Sequence, residues 1–117
     1  HGGSKIYKVS PSGQVRVFAD GFSMILGLVF DKLGGMYVLE MTTNSPFPKP
    51  GTGDIVRVSP SGSRMVIASG LNFPTAMTFG PDNKLYVSVW GFGMPPGGGQ
   101  IMQVNFKCDE IKGDNQN

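Results

Sequence analysis

The chain has 117 residues, one domain's worth at most, and 39% of them are hydrophobic, enough for a modest core. Charged residues make up only 15% and the formal net charge is +2. The ten Lys and Arg are scattered singly from Lys5 to Lys112, so no basic stripe serves nucleic acid or an anionic membrane.

His1-Gly2-Gly3-Ser4 reads as a tag or linker remnant (residues 1–4) and is set aside. Nine short strands then follow, separated by turn signals. Lys5–Ser10 is closed by Pro11-Ser12-Gly13, and Gln14–Ala19 by Asp20-Gly21. Gly27–Asp31 precedes Leu33-Gly34-Gly35, and Met36–Met41 leads into a long Pro/Gly loop, Thr42–Gly53. Asp54–Ser59, Arg64–Ser69, Ala76–Gly80 and Lys84–Trp90 come next, then a second Pro/Gly loop, Gly91–Gly99, and Gln100–Phe106. The tail, residues 107–117, is polar and carries the single cysteine, Cys108, which has no internal disulfide partner. Eighteen Gly and nine Pro leave no room for a helix of ordinary length. No apolar run approaches the roughly 18 residues of a membrane helix. The expectation is a soluble chain whose compartment is open, with secretion or the periplasm favoured.

Two strand patterns carry an expectation about layers. Gly27-Leu28-Val29-Phe30 and Met36-Tyr37-Val38-Leu39 are apolar on both faces, as suits a sheet stacked between two others. Asp54-Ile55-Val56-Arg57-Val58-Ser59 alternates, as suits a strand nearer a rim.

The strands repeat. Ile6–Met41 aligns with Ile55–Trp90 without a gap at a spacing of 49, and 12 of the 36 pairs are identical, among them Ser10-Pro11-Ser12-Gly13 with Ser59-Pro60-Ser61-Gly62. The repeats span residues 6–54 and 55–100, and a third copy starts at Ile101. A period of this length marks an array of supersecondary units, none of which buries its faces alone. Four antiparallel strands per repeat describe a propeller blade.

The repeat Ile-x-x-Val-Ser-Pro-Ser-Gly, with Ala68-Ser69-Gly70-Leu71-Asn72-Phe73-Pro74 through Phe79-Gly80-Pro81-Asp82 and Gly91–Ile101, resembles the NHL-type β-propellers and the gluconolactonase-like six-bladed clan. It is most similar to the propeller family associated with scytonemin pigment clusters. The fold this implies is all-β, with an arc over residues 5–106 of about two and a quarter blades. The resemblance implies innermost strands at Gly27–Asp31 and Ala76–Gly80, lining a central channel. Family members carry about six blades in one chain. A short arc leaves two open sheet edges, so a head-to-tail homo-oligomer is expected, a trimer favoured, with a fragment of a longer propeller as the alternative.

The resemblance also implies one loop face around the channel. There Phe47, Trp90, Phe92, Met94, Phe73 and Met24 would form an apolar, adaptable pocket, or else plug the channel. Gluconolactonase-like members hold a divalent cation on oxygen ligands, and calcium suits such a set. The candidates are Glu40, Asn44 and Asn72. Against such a site, Thr75 and Leu26 stand where the clan places Asn. Glu40 is the one acid inside Met36–Met41; buried there it needs a partner or a raised pKa, and the plainer role is an edge Glu paired to Lys or backbone. His1 is the only histidine, so no hydrolytic triad or zinc set assembles. Gly97-Gly98-Gly99 has no following helix to make a phosphate cradle, and Asp82-Asn83 is a turn signal. The expected function is a non-enzymatic propeller module binding a small ligand or protein at the loop face. The alternatives are a metal-dependent lactonase-like hydrolase and a purely structural assembly unit.

Overall fold

The computed structural model describes residues 2–43 and 49–105. They form nine strands and no helix, so none is long and apolar enough to cross a membrane. The strands are β1 (Ser4–Val9), β2 (Val15–Phe22), β3 (Ile25–Phe30), β4 (Met36–Glu40), β5 (Gly53–Val58), β6 (Arg64–Leu71), β7 (Ala76–Phe79), β8 (Leu85–Val89) and β9 (Gln100–Val104). All pairing is antiparallel between sequence neighbours: β1-β2, then β3-β4-β5-β6, then β7-β8-β9. The last strand ends two residues earlier than the sequence predicts, and Phe106 and Cys108 lie outside the described residues.

The repeat is reproduced in register. Tyr7 faces Val17 as Val56 faces Val66, and Ile6 faces Ala19 as Ile55 faces Ala68, each with a bulge beside it. The turns repeat too. Ser10 and Ser59 each close a loop in which the Gly13 or Gly62 N–H donates back to the serine carbonyl at 2.9 Å. Both glycines sit at positive φ, 91° and 94°, where a side chain would be strained.

The three sheets stack face to face, and the four-stranded one lies in the middle. On one side Met36 and Val38 of β4, with Val56 and Val58 of β5, pack against Ile6 and Phe22 of the two-stranded sheet. On the other side Tyr37, Leu39 and Ile55 pack against Leu85, Val87 and Val89 of the three-stranded sheet. Period-two alternation thus feeds two cores at once, which explains why β4 is apolar from Met36 to Leu39.

Two layer expectations change. β3 is an edge strand, and Leu28 and Phe30 are largely exposed rather than sandwiched. β5, expected near a rim, is the central strand with Arg57 fully buried. Its polar residues go inside because each meets a partner. The Arg57 guanidinium donates from Nε to Asp31 Oδ2 at 3.0 Å and lies 5.7 Å from the Tyr37 ring centroid. Asp31 Oδ1 accepts from the Leu33 and Gly35 amides at 2.9 and 2.8 Å, and Oδ2 also accepts from the Tyr37 hydroxyl at 2.9 Å. Burial alone would raise the Asp31 pKa; the donors Arg57, Gly35 and Tyr37 overcome it and hold the carboxylate below its usual range. Burial, then the Asp31 charge, pushes the Tyr37 hydroxyl up.

Gly35 is required here by space. A Cβ at that position would run into the Arg57 guanidinium. Arg57→Met, which leaves Asp31 without its cation, is expected to cost roughly 3 kcal/mol in urea unfolding. Gly35→Ala alone is expected to cost about 1–3 kcal/mol by overpacking. In the Arg57→Met background that cost should shrink by about 1 kcal/mol or more, because the group it strikes is gone. Additive losses would show that Gly35 and Arg57 are not coupled.

Candidate functional site

The turns within each pair β1-β2, β3-β4, β5-β6 and β7-β8 gather at one end of the sheets; the two long loops and the links from one sheet to the next gather at the other. The second end holds Ser23 and Met24 between β2 and β3, the loop from Met41 to Thr52, Asn72–Thr75 between β6 and β7, and Trp90–Gly99 between β8 and β9. Close approaches knit it. Pro74 is fully buried against Gly53, where a Cβ would come within 2.7 Å of the proline ring. Thr75 packs on Gly91, and its hydroxyl lies 3.0 Å from that of Ser88. Thr75 is thus a short hydroxyl side chain bound to its own sheet, and its repeat partner Leu26 is half exposed.

Three of the expected pocket residues come together here. Phe73 meets Trp90 edge to face at 5.4 Å and stacks on Phe92 at 4.6 Å. Phe73 is buried, while Phe92 is 44% exposed and keeps much of its surface open to solvent. The Trp90 N–H donates to the Asn72 carbonyl at 2.8 Å, as the Met41 N–H donates to the Met24 carbonyl at 3.0 Å. Met24 is exposed at the repeat position of Phe73, one sheet away. Met94 folds against Gly98 of its own loop. Phe47 lies outside the described residues.

The backbone of this end is strained. Met24, Phe73 and Trp90 have φ of 44°, 44° and 53°, the left-handed region that bulky residues avoid at a cost of about 1–3 kcal/mol each. The same conformation at Met24 and Phe73 makes it a property of the repeat. In the tight turns the left-handed positions fall to Gly13, Gly34 and Gly62, or to Asn83, residues that adopt them readily.

Of the expected cation ligands, Asn44 lies outside the described residues. Asn72 Oδ1 sits by Gly51, and Glu40 is engaged elsewhere. Its carboxylate accepts from the Ser23 N–H at 2.5 Å, but β4 is an inner strand, so Glu40 is not the edge Glu that was expected. Glu40 is buried, and directly across the β4–β5 ladder stands Asp54. The two carboxyl groups stand opposite each other, and Asp54 Oδ1 is buried with no hydrogen-bond partner. Burial first, then the bond and charge of Glu40, push the Asp54 pKa up to about 8. The pair therefore holds a proton at neutral pH, shared between the two carboxyl groups. Calcium takes six to eight oxygen ligands, and no group of three or more His, Cys, Asp or Glu occurs among the described residues.

Asp54 was missed in the sequence. Its signal was symmetry: Glu40 ends β4 and Asp54 opens β5, flanking the same long loop, so antiparallel pairing brings them face to face.

The sign of the pH effect follows. A carboxyl whose pKa is raised on folding binds its proton more tightly in the folded state, so stability falls as pH rises. The loss from Asp54 is expected to run from its ordinary value near 3.8 up to about 8. Asp54→Asn keeps the hydrogen bond to Glu40 without a titrating proton. Urea midpoints measured from pH 5 to 9 should fall with pH in the wild type and flatten in Asp54→Asn.

No family model matches the chain, and no curated protein or solved structure matches it.

Proposed function

We propose that the chain is an arc of an NHL-type, gluconolactonase-like β-propeller, and that its loop end binds a planar, amphipathic small molecule without transforming it. Three stacked antiparallel meanders related by the repeat support the propeller reading. So does β3 lying beside β7, each at an edge of its sheet, with Leu26, Leu28 and Phe30 of β3 exposed as the lining of an open channel would be. A six-bladed ring takes about three such arcs.

One observation carries the binding reading: the Phe73–Trp90–Phe92 stack, built on left-handed Phe73 and Trp90. Strain of this kind persists where the surroundings over-determine it, and it holds the ring of Phe92 open beside a rigid buried ring. A flat ring extending that stack gains an aromatic contact worth about 0.5–1.5 kcal/mol beyond the area it buries. The lactonase-like hydrolase needs a cation that Glu40 and Asn72 are not arranged to hold, and the observations favour it less.

Trp90 is the single tryptophan, so its fluorescence reports on this site alone. Titration with 8-anilinonaphthalene-1-sulfonate, a planar amphipathic probe, is expected to quench Trp90 saturably. Phe92→Ala should weaken the probe roughly threefold to tenfold, while Leu28→Ala at the exposed β3 edge should leave it unchanged. Equal binding by wild type and Phe92→Ala would remove the stack as a site. Calcium-dependent hydrolysis of a simple lactone, lost in Glu40→Gln, would decide for the hydrolase.

A further inference from the structure

We infer that the outer faces of the first and last sheets are the two halves of one contact, through which copies of this chain bind head to tail. The three repeats place one isoleucine each at the same strand position: Ile6, Ile55 and Ile101. Ile6 is 7% exposed and Ile55 0%, because each is covered by the next sheet along; Ile101 is 78% exposed. Its sheet is the last in the stack among the described residues, and none of them covers it. Around it Ala76, Thr78, Tyr86 and Ser88 line an open groove of about 420 Å³.

The missing cover is on the same molecule, at the far end. Ile6 is buried against Val56 and Val58 of β5, which are 8% and 5% exposed. The residues of the first repeat at those two positions are Tyr7 and Val9, and they are 56% and 62% exposed. Cross-strand pairing sets Val17 opposite Tyr7 and Val15 opposite Val9, so four apolar side chains share one outward face. The junction between the first and middle sheets, Ile6 on Val56 and Val58, thus has a counterpart that the described residues leave open: Ile101 of one copy on Tyr7 and Val9 of the next. Exposed apolar area of this kind, shaped to a partner already present in the fold, favours a second copy over an unrelated protein. The contact joins unlike faces, so it is heterologous and propagates until a ring closes. The repeat count expects three copies in that ring; the exposed positions define how copies meet, whatever number closes it. The inference does not depend on ligand binding at the loop end.

Light scattering on a size-exclusion column tests it, using the chain itself. Wild type is expected at a mass of two or more 12.5 kDa chains, rising with concentration. Ile101→Lys and Val9→Lys, both on open faces, should each give a single chain with unchanged circular dichroism. Each variant keeps one intact half, so mixing the two should restore a one-to-one dimer and nothing larger. A monomeric wild type at millimolar concentration overturns the inference, as does a variant that leaves the mass unchanged. Failure of the mixture to pair overturns it too, because that would mean like faces meet.

Discussion

The two inner strands of the middle sheet, β4 and β5, have no face turned to water, and most of the structure follows from that. A strand buried on both sides cannot shed its polar groups to solvent, so each must find a partner inside. β4 meets the demand by composition, with Met36, Tyr37, Val38 and Leu39 in succession. β5 meets it by pairing. Arg57 closes on Asp31 and Tyr37, and Asp54 closes on Glu40. Both knots link β5 to strands earlier in the chain, so they also pin the register in which Ile55 and Val56 point to opposite cores.

The two knots respond to pH in opposite directions. Asp31 is held below its usual range by donors, and its contribution is present above that range and lost as acid protonates it. Asp54 is held above its usual value by burial and by Glu40, and its contribution is lost as base removes the proton. One knot lies at the tight-turn end and the other at the loop end, so acid loosens the first and alkali the second. The loop end, where the aromatic stack sits, is therefore the end that alkali disturbs.

The strand order and the turns were legible because they are local: Pro-Ser-Gly and Asp-Gly signals break the chain at fixed intervals, and the 49-residue repeat checks each break against another. Burial was less legible. Leu28 and Phe30 look like core until β3 proves to be an edge, and Arg57 looks like rim until Asp31 arrives from 26 residues away. A strand's own alternation records nothing about which partner covers it. At the loop end the meeting of Phe73, Trp90 and Phe92 followed from the repeat. Their left-handed backbone did not, since φ above zero at a bulky residue leaves no compositional trace, whereas at Gly13 or Gly62 it does. Asp54 is legible only through the antiparallel pairing that sets it opposite Glu40, since a long loop separates the two in the sequence.

One repeat position shows how the copies diverged around these constraints. Lys8, Arg57 and Gln103 occupy it in turn. Only Arg57 is enclosed, and only it has an aspartate with two strands' worth of donors around it. In the next sheet the aspartate has moved within its turn to Asp82, where it still accepts from the Tyr86 hydroxyl and the Lys84 amide, but on the surface. Gln103 there donates to the Tyr86 oxygen at 3.4 Å, a neutral bond where Arg57 makes a charged one. The gradation follows burial. A carboxylate sealed between sheets needs a full opposing charge, because its desolvation is otherwise uncompensated, while one facing water needs only a donor. Lys8 carries its charge at an exposed strand position, where water solvates it and no carboxylate is needed. One repeat position thus takes a lysine, an arginine or a glutamine according to what covers it.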